Sequence, residues 1–320
     1  MTNAKALAVV IPARDEAEIL RDTLPALLQA LADLPFILRI VLVDDGSRDE
    51  TAAIARAYGA EVVTGEGTGP GAARNLGARE AMRWMEASGA DAEGWFLFLD
   101  ADCRVAPDHF VRIARHLHDP GASVLSVQER PNLPRGTLRL GNRVKRAVQR
   151  WSAEVWGIPV VHAGCLYVRA RDFLAVGGFN HEHLFEDIEL GFRFDPGRVR
   201  VLADPEVVEV SDRRMHRVGA WASLVVPARC AAVMFLSSQV AESRLASLFL
   251  KTFLKLGEDR LPAHLWWSDP QRRLSASLGS AVVVALLWWA VLFALWTGAL
   301  KRRPQGLRTA YEALPEHQAG

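Results

Sequence analysis

The sequence predicts an open α/β sheet followed by an apolar C-terminal third. Leu7-Ala-Val-Val-Ile11 and Ile40-Val-Leu-Val43 are continuously aliphatic, as parallel strands buried on both faces must be. Strand-like runs alternate with helical stretches as far as Leu99, the pattern of a sheet with right-handed crossovers. Polar clusters at Pro12–Glu16, Asp44–Ser47 and Asp100–Asp102 each follow directly on a strand, where open sheets bind their ligands.

Each element has its own signal. Ala17 to Leu34 has helical periodicity, and Pro25 is expected to kink or split it because proline lacks the amide a helix interior needs. A helix from Glu50 to Tyr58, a strand at Glu61–Val63, a helix from Gly71 to Ala87 and a strand at Trp95–Leu99 follow. His162 to Arg169 reads as a strand, Val176-Gly177-Gly178-Phe179 as a turn and Glu186 to Arg193 as a helix start.

Half of the 320 residues are apolar, enough for a sizeable core, and the net charge of +1 offers no field for nucleic acid. Cys103, Cys165 and Cys230 form no CxxC or His–Cys cluster, which fits a reducing compartment and points to neither zinc nor a disulfide framework. Leu7 to Ile11 is too short for the apolar core of a signal peptide.

Leu274 to Leu300 carries no charge and is flanked by Arg272 and Arg273 on one side and Lys301, Arg302 and Arg303 on the other. It exceeds the roughly 20 residues that cross a bilayer, and Trp266, Trp267 and Trp296 suit the interfacial belts. A transmembrane helix is the expectation; a buried helix and an in-plane hairpin are the alternatives. Leu245, Leu248, Phe249, Phe253 and Leu256 repeat at helical spacing, as in an interfacial or a core helix. Arg130, Arg135, Arg139, Arg143, Lys145, Arg146 and Arg150 make the middle basic, either a solvated face or a surface for anionic headgroups. These shifts divide the chain at 1–219, 220–270, 271–303 and 304–320.

Asp100-Ala101-Asp102 is the most informative motif. In an extended strand its two carboxylates share a face, and carboxylates ending a buried strand need a positive partner. Oxygen ligands of this kind suit Mg²⁺ or Mn²⁺, whose shell substrate phosphates complete. A solvated turn is the plainer alternative. Asp44-Asp45-Gly46-Ser47 combines a tight turn with acceptors for a base or ribose, and Asp49 is placed to cap the next helix. Gly65, Gly67, Gly69 and Gly71 lead into a helix carrying Arg74, a loop through which backbone can approach phosphate. No Walker lysine follows it, and no G-x-G-x-x-G follows the first strand, which argues against a P-loop NTPase and a dinucleotide-binding dehydrogenase. Asp187, near a helix N-terminus, is either a cap or a general base.

Together these motifs, Val-Val-Ile-Pro12-Ala13-Arg14-Asp15-Glu16, Val-Leu-Val-Asp44-Asp45-Gly-Ser, Gly-Ala-Ala-Arg74-Asn75-Leu-Gly, Leu-Asp100-Ala-Asp102 and Phe-Glu186-Asp187-Ile-Glu-Leu, resemble the family-2 glycosyltransferases of GT-A fold over roughly residues 5–215. The resemblance implies that Pro12, Ala13, Arg14, Glu16 and Asp45, with Asp44 beside them, line a nucleoside pocket. It implies that Arg74 lies near the base or diphosphate and that Asp100 and Asp102 hold ribose and metal. Asp187 would be the base of a direct, inverting displacement. The Gln-x-x-Arg-Trp motif of the processive synthases is missing; Ser211-Asp-Arg213-Arg214-Met-His216 stands instead, with Arg213 and Arg214 suited to a leaving diphosphate.

The sequence is therefore expected to encode a Mg²⁺- or Mn²⁺-dependent transferase of one sugar. The donor is a UDP-sugar ahead of a GDP-sugar, the acceptor a lipid or lipid-linked glycan. The expected location is the cell membrane, with the catalytic domain on the cytoplasmic side. A sugar-nucleotide nucleotidyltransferase and a non-catalytic membrane scaffold are the rivals.

Overall fold

The computed structural model describes residues 6–32, 34–89, 94–131, 161–180, 186–203, 208–211 and 310–313, all within one compact unit of the chain. The expected interfacial helices, the transmembrane segment 274–300, the basic stretch beyond Pro131 and residues Arg213, Arg214 and His216 lie outside the described residues. Among the described residues no helix is long and apolar enough to cross a membrane.

The strands are β1 (Ala6–Ala13), β2 (Ile37–Asp44), β3 (Glu61–Thr64), β4 (Trp95–Leu99), β5 (Cys103–Val105), β6 (Val124–Val127), β7 (Arg130–Pro131), β8 (Cys165–Arg169), β9 (Val199–Ala203), β10 (Val208–Val210) and β11 (Ala310–Ala313). The helices, renumbered in chain order, are α1 (Ala17–Leu31), α2 (Thr51–Ala57), α3 (Pro70–Ala87), α4 (His109–Leu117), α5 (Ala170–Ala175) and α6 (Glu186–Phe192). Eight strands form one sheet in the order β11-β9-β6-β8-β4-β1-β2-β3, and β5, β10 and β7 form a small second sheet.

The expected strands are all present, but the sheet is mixed rather than parallel throughout. β1 pairs in parallel with β2 and β4, whereas β8 runs antiparallel to both β4 and β6. Its start therefore lies at the same edge as the ends of β1, β2, β4 and β6.

Alternation across the strands divides the core in two. Leu7, Val9 and Ile11 of β1, with Trp95, Leu97 and Leu99 of β4, face Leu20, Leu24, Phe110 and Ile113. Ala6, Ala8 and Val10, with Phe96 and Phe98, face Ala73, Ala81, Phe173 and Phe179. On this second face Phe98 meets Phe179 edge-on at 4.9 Å, and Phe173 meets Phe96 at 5.6 Å. Such pairs add roughly 0.5–1.5 kcal/mol each beyond burial. Gly77 lets α3 lie directly on the strands, since a Cβ there would meet Val10 Cγ1 at 2.4 Å.

Helix α1 excludes the expected split, because Pro25 lies inside a single helix. Pro25 and Arg21 are both exposed, so the backbone hydrogen bond that proline forfeits is lost on the solvent side. Leu20, Leu24 and Leu27 meanwhile hold the opposite face buried.

Candidate active site

The polar residues gather at the edge where β1, β2, β4 and β6 end. Two loops are stitched together there. Asp15, held at φ 54°, donates its amide to Ser47 Oγ at 3.0 Å and accepts from the Arg48 amide at 2.7 Å. Glu16 N–H donates to Thr51 Oγ1 at 2.8 Å. Asp49 accepts from the Thr51 amide at 2.9 Å and, through its other oxygen, from the Ala17 amide at 3.0 Å. It therefore serves the first turns of both α1 and α2, one more helix than its expected cap. Burial pushes its carboxyl up, but the hydrogen bonds from Thr51 and Ala17 outweigh this and hold it below the usual range.

Ala13, Glu16 and Asp45 are buried, and Pro12, Arg14 and Asp44 are half-buried. The glycine loop differs from the phosphate cradle expected of it. Its amides at Gly67 and Gly69 donate to the two carboxylate oxygens of Asp45, at 2.8 and 2.9 Å. Asp45, only 4% exposed, is thus a clasp on the loop, although each oxygen retains a second acceptor direction. Asp44 accepts from the Ser47 amide at 2.9 Å, closing the turn. Arg14 Nη1 lies 3.7 Å from where a Cβ on Gly67 would stand.

The period-two argument for Asp100 and Asp102 does not hold, because β4 stops at Leu99. Ala101 and Asp102 form a turn closed by the Cys103 amide donating to the Asp100 carbonyl at 2.9 Å. Thr23 Oγ1 donates to the Ala101 carbonyl at 2.9 Å, and the Ser211 amide to the Asp102 carbonyl at 3.1 Å. A turn, not strand alternation, sets how the two residues are displayed. Burial first, then the charges of Glu129, Asp102 and Asp100, push the Cys103 thiol well up. Burial does the same to Cys165, so neither sulfur is a thiolate at neutral pH.

Arg74 is paired with two carboxylates. It is 4% exposed and donates through Nη2 to Asp100 Oδ1 at 2.6 Å and through Nη1 to Glu186 Oε1 at 2.8 Å. Its guanidinium lies 5.5 Å from the centre of the Phe179 ring. Burial disfavours the cation, but Asp100 and Glu186 overcome that and raise its pKa further. Burial, opposed by Arg74, raises the Glu186 carboxyl.

The sequence reading took His162-Ala163-Gly164 only as the start of a strand and missed its function as a junction. Gly164 accepts from the Asp100 amide at 3.0 Å, and the Ala163 amide donates to Asp187 Oδ2 at 3.1 Å. His162 Nδ1 stands 3.9 Å from the same Asp187 oxygen. Glu129 packs on Gly164 so closely that a Cβ there would meet Glu129 Oε1 at 2.0 Å. The glycine was the available signal, since it marks close approach only once its neighbour is known. Asp100, through its backbone amide, and Asp187, through its carboxylate, are widely separated in sequence yet are held by neighbouring residues of one segment, Gly164 and Ala163.

Residues 8–175, more than half of the 320-residue chain, match glycosyl transferase family 2. The chain belongs to that family. This family-2 glycosyltransferase is 41% identical over 61 residues to 4,4'-diaponeurosporenoate glycosyltransferase of Staphylococcus aureus (strain MRSA252), covering 19% of this chain and 15% of that protein. The matched segment is thus a small part of the curated relative. Among solved structures, a mannosyltransferase, PcManGT from Pyrobaculum calidifontis, in complex with GDP-Man and Mn²⁺, covers 94% of this chain and 85% of its own at 19% identity, TM-score 0.55. S. aureus TarS 1-349 in complex with UDP-GlcNAc covers 92% of this chain and 81% of its own at 18% identity, TM-score 0.51. These likenesses establish a GT-A-like mixed α/β fold.

Proposed function

We propose that this glycosyltransferase moves one sugar, with inversion, from a nucleoside-diphosphate sugar to a hydroxyl of a membrane lipid or lipid-linked glycan. A UDP-sugar is the first candidate donor and a GDP-sugar the second. The observation that carries the reading is the junction at Ala163-Gly164, which holds the Asp100 backbone and the Asp187 carboxylate on neighbouring residues. Direct displacement needs a donor and a base held in fixed register, and such a mount supports that.

Asp187 acts as general base, taking the proton from the acceptor hydroxyl as its oxygen attacks the anomeric carbon. The bond from that carbon to the diphosphate breaks, and its electron pair leaves with the phosphate oxygen. Asp100 and Asp102 would hold Mg²⁺ or Mn²⁺. Their oxygen donors suit these ions, and among the described residues no group of three His, Cys, Asp or Glu closes a cage around a cation. An ion completed by diphosphate and water fits that donor set, and the solved mannosyltransferase of like fold is a complex with Mn²⁺. The metal, when bound, neutralises the leaving diphosphate; Arg213 and Arg214 would add to this. The uncharged stretch Leu274–Leu300, between basic flanks, supports a location at the cell membrane. A cytoplasmic catalytic face follows from the donor pool.

The test is thermal stabilisation and slow donor hydrolysis across a panel of nucleotide sugars with Mn²⁺. A ligand of the native state raises apparent stability with occupancy. The expected result is one UDP- or GDP-sugar that stabilises only with metal, abolished by Asp102→Ala. Asp187→Asn should bind that donor and lose transfer by about 10²–10⁴-fold. A chain that binds no nucleotide sugar under any metal is a scaffold instead.

A further inference from the structure

We propose that His162 carries the acceptor's proton away from Asp187; this rests on the reading of Asp187 as the base. A carboxylate that has accepted a proton must release it before the next turnover. A neighbour able to take that proton near neutral pH gives Asp187 a route besides direct loss to water. Among the described residues, Arg74 and Glu186 also feel the charge of Asp187, and neither is suited. Arg74 is a cation already paired with Asp100 and Glu186, and Glu186 is committed to Arg74.

His162 has both the position and the chemistry. Its Nδ1 stands 3.9 Å from Asp187 Oδ2, one modest side-chain adjustment or one bridging water from a hydrogen bond. Its backbone is pinned, since the His162 amide donates to the hydroxyl of buried Ser126 at 3.1 Å. Asp187 is pinned in turn by the Ala163 amide, so the pair is held at both ends. The two side chains are 23% and 22% exposed, which gives the relay an outlet to water. Imidazole is the side chain whose ordinary pKa lets it take up and release a proton at neutral pH.

The steps balance. The acceptor O–H proton moves to Asp187 as the new glycosidic bond forms and the old C–O bond breaks toward diphosphate. Asp187 then passes it to Nδ1 of a neutral His162 protonated at Nε2. The resulting imidazolium loses a proton from Nε2 to solvent.

Two measurements test this. In the first, hydrolysis of UDP-glucose, UDP-GlcNAc and GDP-mannose is followed with Mn²⁺, water serving as acceptor. His162→Ala should lower kcat roughly 10- to 100-fold at unchanged KM for the donor, and added imidazole should restore it. Full activity in His162→Ala, or a loss that imidazole does not repair, overturns the relay. Activity in Asp187→Asn overturns the base assignment instead. The second measurement needs no turnover: the His162 ring is titrated by NMR, assigned through His162→Gln. Among the described residues, the charged groups around the pair include Asp187 and Glu186 on α6, Glu129 after β6 and Arg74 on α3. Asp187→Asn should lower the His162 pKa, because it removes the nearest negative charge. An unchanged titration overturns the proposal.

Discussion

The two edges of the sheet each bury an arginine, and the difference between them separates scaffold from site. At the edge where β8 ends, Arg169 is buried. Its Nε donates to the Ala122 carbonyl at 2.7 Å and its Nη2 to the Asp119 carbonyl at 2.6 Å. Its guanidinium lies 4.6 Å from the Trp95 ring. At the opposite edge Arg74 is clamped between Asp100 and Glu186. Arg169 ties backbone segments together with dipoles and a ring. Arg74 holds side chains carrying formal charge, which is costly to gather in a core and is found where chemistry needs it.

The largest effect should come from breaking the carboxylate clamp. Arg74→Met releases Asp100 and Glu186 from their shared cation, and transfer should fall by about 10²-fold or more. Stability should fall with it, by roughly 3–5 kcal/mol. Arg169→Met should cost about 3 kcal/mol in denaturant unfolding, because one buried and one part-buried carbonyl lose their donor. Donor hydrolysis per folded molecule should stay unchanged. If both variants lose activity alike once folding is corrected for, the contrast between the edges fails.

Gly164→Ala sharpens the comparison on the site side. Its Cβ would run into the Glu129 carboxylate, and such overpacking costs about 1–3 kcal/mol. Because Gly164 O also receives the Asp100 amide, kcat should fall beyond the stability change.

The smallest effect is expected at Asp49, whose cap contacts serve two helices. Asp49→Ala should cost about 1 kcal/mol at neutral pH. The wild-type carboxyl is held below its unfolded range. Its contribution is therefore present above the ordinary carboxylate pKa and is lost as pH falls through the lowered folded value. Unfolding curves of wild type and variant should converge in acid.

How much was legible follows from where the information lies. β1, β2 and β4 were readable because burial on both faces demands unbroken aliphatic or aromatic runs, and Trp95–Leu99 has the predicted bounds. The acidic residues at the strand ends were readable for the same reason, once the strands were. Pairing was not. Nothing within Cys165–Arg169 announces that this strand lies antiparallel between β4 and β6, yet that insertion brings His162 and Ala163 to Asp187. Asp45 and the glycine loop were each noticed, but their mutual hydrogen bonds are tertiary and leave no local trace. The pairing of Arg74 with Glu186 was not legible either, because the two lie 112 residues apart.

The Asp45 clasp has a consequence for affinity. Loop amides that await an anion must be ordered by it, and the entropy of that ordering is then subtracted from affinity. Here a protein carboxylate already occupies the amides of Gly67 and Gly69, so the ordering cost falls on folding. Under the proposed function, a nucleotide reaching this loop would find its backbone already ordered and would not bear that entropy cost on binding.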